Sequence, residues 1–240
     1  MDVCIDIGNT RAKIAEFKKG KLKDLTYRND VSGTWLGNYV RKKGVNRLIL
    51  STTRSVSKTQ RAVLDRNEDH YLLNHDLPIP IKLKYDTPNT LGRDRIAAAV
   101  GAQAAFPKRN CLIIDAGTCI TADILDANGN YLGGSIAPGL NMRLEAMNHF
   151  TTALPLIKRK PFNKLLGKST EESLLAGSMG AALREIDGFI NHYHSKYADL
   201  QVLVTGGDTD YFDKYLENEI FADPNLVLKG LYNILEFNAK

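Results

Sequence analysis

Asp6-Ile-Gly-Asn-Thr-Arg-Ala-Lys13 closes one apolar run and opens a second, and Asp115-Ala-Gly-Thr118 does the same 109 positions later. At that single offset Asp6 aligns with Asp115, Gly8 with Gly117 and Gly20 with Gly129. In each copy an apolar strand ends in Asp-x-Gly-(Asn/Thr), a second strand follows, and a glycine turn closes the hairpin. In the first copy the strands fall at 2–7 and 12–17, and Lys18-Lys19-Gly20-Lys21 supplies the turn. In the second they fall at 111–115 and 120–126, with the turn at Asn128-Gly129-Asn130. Internal repeats fix architecture early. This one predicts two related halves, residues 1–110 and 111–240, with a cleft between them.

Outward from the two hairpins, strands alternate with helices. Helical patterning covers 35–43, 57–67, 91–106, 140–149, 170–197 and 230–237, and further strands are expected at 47–51, 71–73, 79–84 and 201–205. Ile96, Ala97, Val100 and Ala104 mark one face of the 91–106 helix, which Pro107 ends. The alternation makes this an α/β protein.

The 240 residues include 43% hydrophobic and 25% charged side chains, which excludes disorder, collagen and coiled coil as the main state. No run approaches the ~20 apolar residues a membrane span needs, so no membrane partner is expected. An acid at position 2 and no basic region before an apolar one argue against a signal peptide. Cys4, Cys111 and Cys119 form no CxxC and sit in apolar runs, as buried thiols of a reducing cytoplasm would. The net charge of +5 comes from scattered basic residues, clustered only at 18–21, 41–43 and 158–160. Without aromatic residues among them they read as solvated faces, and no nucleic-acid partner is expected.

The chemistry points to phosphate. A carboxylate at a strand end, Asp6, can face a hydrated magnesium ion, and Gly8 lets the backbone approach a phosphate and adopt φ > 0. Asn9 and Thr10 add polar groups at the turn, and Lys13 can place a point charge on the phosphates. A plain polar hairpin turn would use the same residues; the duplication favours the functional reading. Leu166-Gly167-Lys168-Ser169 resembles a P-loop tail, but Phe162 stands where that motif needs glycine. No GxGxxG follows a strand, and His192 and His194 lie two apart on a helix, a poor metal pair. Asp94 opens the alanine-rich helix between Arg93 and Arg95. It can be a first-turn helix acid, or a general base beside an anionic substrate.

Together these residues resemble the type III pantothenate kinases of bacteria. The likeness runs through DIGNTRAK at Asp6–Lys13, the Tyr85–Arg95 stretch with Gly-x-Asp-Arg, and DAGT at Asp115–Thr118. It continues through GGSIAPG at Gly133–Gly139, TTALP at Thr151–Pro155, Thr170 and TGGD at Thr205–Asp208. It implies two ribonuclease-H-like halves of the acetate-kinase/sugar-kinase/Hsp70/actin type. It further implies ATP-dependent phosphorylation of pantothenate, by a cytoplasmic homodimer needing magnesium or a similar divalent ion and potassium or ammonium. By matched position, Asp6, Ile7, Gly8, Asn9, Thr10, Arg11, Ala12 and Lys13 would bind ATP, with Thr118. Asp6 would meet magnesium through water. Asp94 would be the catalytic base, while Tyr85, Gly92, Arg93, Arg95 and Thr170 would join it in holding pantothenate. Asp115 would ligate the monovalent cation. Cys119 departs from the alanine that many members carry; being small and apolar, it should change little.

Two other readings compete. A transcriptional accessory factor could use a kinase-like fold without catalysis, and the basic pI of about 9.0 suits it. A pure binder, however, has no need for Asp6, Lys13, Asp94, Arg95 and Asp115 together. A kinase of the same fold acting on a different acid is the other.

Overall fold

The structure, a computed structural model, describes residues 1–239. They form two compact units. One contains Met1–Pro107, Gly129–Tyr131 and Asn225 onward; the other contains Lys108–Asn128 and Leu132–Pro224.

The first unit is built on five strands: β1 (Asp2–Ile7), β2 (Ala12–Lys18), β3 (Lys21–Arg28), β4 (Arg47–Thr52) and β5 (His70–Leu72). Their order is β3-β2-β1-β4-β5, with β1 parallel to β4 and antiparallel to β2. Strict alternation along β1 sends Val3, Ile5 and Ile7 to one face and Asp2, Cys4 and Asp6 to the other. The first face packs on α1 (Gly33–Lys43) and α2 (Lys58–Leu64), through Leu36, Val63 and Leu64. Ser32 and Ser57 cap those helices, each accepting a backbone N–H, from Trp35 and Gln60. A short strand, β6 (Lys82–Leu83), pairs with Asn130 and Tyr131. Then follows α3 (Arg93–Ala105).

The second unit is built on β7 (Cys111–Ala116), β8 (Cys119–Leu125), β9 (Asn130–Pro138) from Leu132 onward, β10 (Gln201–Thr205) and β11 (Phe221–Ala222), in the order β11-β10-β7-β8-β9. Here Leu112, Ile114 and Ala116 face helices α4 (Leu140–His149), α6 (Ala181–His194) and α7 (Thr209–Tyr215). The expected single helix over 170–197 is interrupted: α5 (Thr170–Leu175) runs into a π-helical turn, Ala176–Gly180, before α6. Within that turn the Ser178 hydroxyl donates to the Leu174 carbonyl at 2.7 Å. The P-loop look-alike has a structural explanation, since Ser169 caps α5 by accepting the Glu172 N–H.

A division at 110/111 would leave the C-terminal helix in the second half. Instead α8 (Leu226–Asn238) packs in the first unit, against α3. Two glycines make the contact possible. A Cβ at Gly230 would collide with the Ala97 carbonyl, and one at Gly101 would press on Leu226. Tyr232 of α8 stacks on Phe17 with ring centroids 4.4 Å apart.

The duplication is visible in the backbone. Gly20 and Gly129 turn their hairpins with φ of 76° and 75°, the left-handed region that glycine enters without steric cost.

Candidate active site

At the carboxyl ends of parallel β1 and β4, side chains in register form a row on one face of the first sheet. Lys13 of β2 lies opposite Asp6 of β1, and Ser51 of β4 lies beside Asp6 on the other side. Register neighbours point to the same face. The Asp6 carboxyl is pushed up to about 6, first by burial and then by the nearby Asp94 carboxylate. Lys13 and a hydrogen bond from Ser51 pull it back only in part. Carboxylate oxygens beside a lysine can serve a hydrated cation and its phosphate partners together.

Asp94 enters this group from the first turn of α3. Gly92 is the N-cap and has no side chain to offer. The Asp94 Oδ1 accepts the Arg95 N–H at 2.9 Å, so this carboxylate also completes the helix end. A Cβ on Gly92 would drive into that same oxygen. Arg93 donates from Nη1 to the Thr52 carbonyl at 3.2 Å, tying the start of α3 to the end of β4. Arg95 is buried, with its guanidinium 6.0 Å from the Tyr85 ring and 5.9 Å from the Tyr131 ring. The two rings meet edge-on. Thus Asp6, Lys13, Asp94 and Arg93 gather at one strand end, while Tyr85 and Arg95 form an aromatic–cation cluster at α3.

The loop between β1 and β2 is short and braced. The Gly8 N–H donates to the Arg11 carbonyl at 3.3 Å. Gly8 is not in the left-handed region, contrary to the expectation from sequence. The nearest atom a Cβ there would meet is the Arg11 oxygen at 3.5 Å, an ordinary contact. Backbone strain therefore does not demand glycine at position 8. Arg54 Nη2 donates to the Asn9 carbonyl at 2.6 Å, and the Thr53 N–H donates to the Ile7 carbonyl. Asn9, Thr10 and Arg11 are exposed, and Ala12 is buried.

Sequence reasoning missed Ser51, Thr53 and Arg54. The available signal was a polar run, Ser51-Thr-Thr-Arg54, directly after an apolar strand. Ligands of α/β sheets gather at the carboxyl ends of parallel strands, so such a run marks a site edge.

In the second unit Asp115 ends β7, flanked in register by Thr121 of β8 and Thr205 of β10. Both threonine hydroxyls are buried with no hydrogen-bond partner among the described residues. Oxygen donors beside a carboxylate fit a hard cation. Gly206 follows at φ 99°, where a Cβ would strike the Ala116 carbonyl and the Asp115 carboxylate. Asp208 is held by Arg159 at 2.6 Å, and its N–H donates to the Ala116 carbonyl. Arg159, exposed at the surface, thus carries an ion pair within its basic cluster. A Cβ at Gly117 would meet nothing within 4 Å. Thr118 and Thr170 are exposed, the latter as the first residue of α5.

No group of three or more His, Cys, Asp or Glu among the described residues could hold a metal alone.

Comparison with known proteins bears on kinship and fold. Residues 3–192 match the family model of the type III pantothenate kinases. A type III pantothenate kinase from Phocaeicola vulgatus is 42% identical over 241 residues, covering 100% of both chains. Among solved structures, one described as a Baf family transcriptional activator from Campylobacter jejuni is 22% identical, with a TM-score of 0.64 over 98% of each chain. A glucokinase from an Antarctic psychrotroph is 11% identical, with a TM-score of 0.54 over 98% of each. Those two speak to fold alone: a mixed α/β chain with two sheets, of the sugar-kinase and actin type. The family match and the full-length 42% identity speak to kinship, and the chain belongs to the type III pantothenate kinase family.

Proposed function

We propose that this protein transfers the γ-phosphoryl group of ATP to the primary hydroxyl of pantothenate, giving 4′-phosphopantothenate on the route to coenzyme A. The observation that carries this reading is the full-length likeness to type III pantothenate kinases. The Lys13–Asp6–Ser51 row with Asp94 beside it supports it chemically. Residues Asp6 to Lys13, with Thr118, serve as the ATP-binding set. Phosphoryl transfer passes through a loose transition state, so positioning and charge neutralisation do most of the work. Lys13 sets a fixed positive charge against the phosphates. Asp94 accepts the hydrogen of the attacking hydroxyl and aims its oxygen.

Bound magnesium would be held through water by Asp6 and would neutralise phosphate charge. Arg95, with its guanidinium about 6 Å from the Tyr85 and Tyr131 rings, is suited to the pantothenate carboxylate. Tyr85, Gly92 and Thr170 complete the acceptor set. Arg93 serves it by holding the start of α3 through Thr52. Asp115 with Thr121 and Thr205 takes the monovalent cation, potassium or ammonium. The chain works in the cytoplasm as a homodimer. Exposed Ile136 on β9 and Phe150 after α4, at 64% and 82% exposure, are apolar surface that a second copy would cover.

The test is direct. Purified protein with ATP, magnesium and potassium should convert pantothenate to phosphopantothenate, and a panel of other small hydroxy acids should react far more slowly. Folded protein that forms no phosphopantothenate would leave the non-catalytic accessory-factor reading ahead.

A further inference from the structure

The Lys13–Asp6–Ser51 row does not stop at Lys13. Tyr27 of the edge strand β3 lies in register with Lys13. Its ring therefore stands on the same face as Lys13 and Asp6, one strand further out. The Arg11 guanidinium sits over that ring, 4.1 Å from its centroid. Arg11 belongs to the Gly8–Arg11 loop, which is short and held at its base by Arg54 and Thr53. Both partners are solvent-exposed, with 46% of Tyr27 open. A ring in that position buries little apolar area, so packing alone gives weak reason for it.

We infer that Tyr27 is a positioning residue for the nucleotide: its ring face holds the Arg11 guanidinium alongside Lys13, making a two-cation wall beside Asp6. The inference rests on the proposed kinase reading for its ligand, the phosphates of MgATP. Two opposing tendencies explain why a ring is needed. An exposed arginine has large rotamer freedom, and a neighbouring ammonium repels it toward solvent. The negative face of an aromatic ring attracts the guanidinium without neutralising it. A carboxylate at position 27 would hold Arg11 too, but it would cancel the charge the phosphates need. A neutral ring holds the cation and leaves its N–H groups free to fork onto phosphate oxygens. Sequence could not show the pairing, because the partners are 16 positions apart on different elements.

The chemistry predicts which substitutions are tolerated. Phe and Trp keep a ring face and should preserve function; Leu keeps bulk and apolarity but has no quadrupole. Binding of MgATP measured without pantothenate, alongside steady-state kinetics, makes the test. Tyr27→Leu should weaken MgATP binding and raise KM for ATP about two- to fivefold, the span of an exposed cation–π pair. The KM for pantothenate and the thermal midpoint should stay at wild-type values. Tyr27→Phe should restore wild-type binding. In an Arg11→Leu background, adding Tyr27→Leu should bring no further loss. Tyr27→Leu with wild-type affinity, Tyr27→Phe as damaged as Tyr27→Leu, or an undiminished loss without Arg11 would each overturn the inference. Wild-type protein that binds MgATP but leaves pantothenate untouched would instead strike at the acceptor assignment, with the affinities still deciding the role of Tyr27. Wild-type protein that binds no MgATP overturns both.

Discussion

The two Asp-x-Gly hairpins share a backbone plan and differ in what surrounds the aspartate. Asp6 has a lysine in register on one side and a serine on the other, with a second carboxylate, Asp94, close enough to raise its pKa. Asp115 has a threonine on each side, both with buried hydroxyls lacking partners among the described residues. In register, then, the first aspartate is flanked by a lysine and a serine, the second by two threonine hydroxyls. A duplicated fold has been turned to two kinds of electrostatics by changing the register neighbours of one residue. The first suits phosphates and the proton of an attacking hydroxyl. The second suits a loosely held ion.

The sharpest way to break this contrast is at Asp94, the carboxylate that raises the Asp6 pKa. Asp94→Asn keeps the side chain's size and can still accept the Arg95 N–H through its amide oxygen. Helix α3 should therefore survive, while kcat falls by about 10²–10⁴-fold, the usual cost of removing a general base. Circular dichroism and single-turnover phosphorylation measure the two parts. A variant within a few-fold of wild type would make Asp94 only a helix-end residue.

At the second aspartate the expected loss is smaller and conditional. Asp115→Asn removes one ligand charge, and activation by potassium should drop by about tenfold or more, while activity in its absence changes little. A titration of potassium against choline at constant ionic strength reads this directly. Oxygens spaced for a large ion close poorly around a smaller one, so sodium should substitute weakly. A flat response to potassium in the wild type would remove the cation from Asp115.

These contrasts were only half legible in the sequence. The duplicated strand–turn–strand stood out because Asp, Gly and a closing glycine recur at one offset, and the left-handed Gly20 and Gly129 bear that out. Strand β3 gave little signal: on a sheet edge only Leu22 and Leu25 are half-buried, so no clean alternation marks it. The register that places Lys13, Ser51, Thr121 and Thr205 beside the aspartates joins strands far apart in sequence. Periodicity within one strand cannot reveal it. Helix α8 followed the same logic. Apolar residues along Leu226–Leu235 predict burial, yet the partner, α3, is set by glycines over 100 positions apart.

A third test concerns the cost of the first site. The folded pKa of Asp6, about 6, lies above the ordinary value of 3.8, so between those values the folded protein holds a proton the unfolded chain releases. Stability from this group is then fully present below the unfolded pKa and is lost as pH rises through about 6. Asp6→Asn removes the charge that burial and Asp94 disfavour. At pH 7–8 without magnesium or nucleotide it should gain about 1–2 kcal/mol, trimmed from the full shift because Asp6 retains some solvent contact and Lys13 loses a partner. The gain should shrink below pH 5, although the variant is inactive throughout. Urea unfolding at several pH values measures it, and a loss of stability at pH 8 would mean Asp6 is a structural anchor.

The smallest effect isolates what the second site uses in place of a lysine. Thr205 is fully buried and its hydroxyl has no partner among the described residues, a state that costs about 1–3 kcal/mol for a buried polar group. Thr205→Val replaces the hydroxyl with a methyl of nearly the same size. In choline buffer, where no potassium can use that oxygen, the variant should be more stable than wild type by up to about 1 kcal/mol. In potassium the order should narrow or reverse, because wild type gains binding energy that the valine variant cannot draw on. Thr121→Val on the opposite strand should behave alike, since it holds the matching register position. Thermal midpoints in the two salts at equal ionic strength give the answer. Equal shifts in both salts would make the hydroxyls packing groups; a salt-dependent change of sign ties them to the ion beside Asp115.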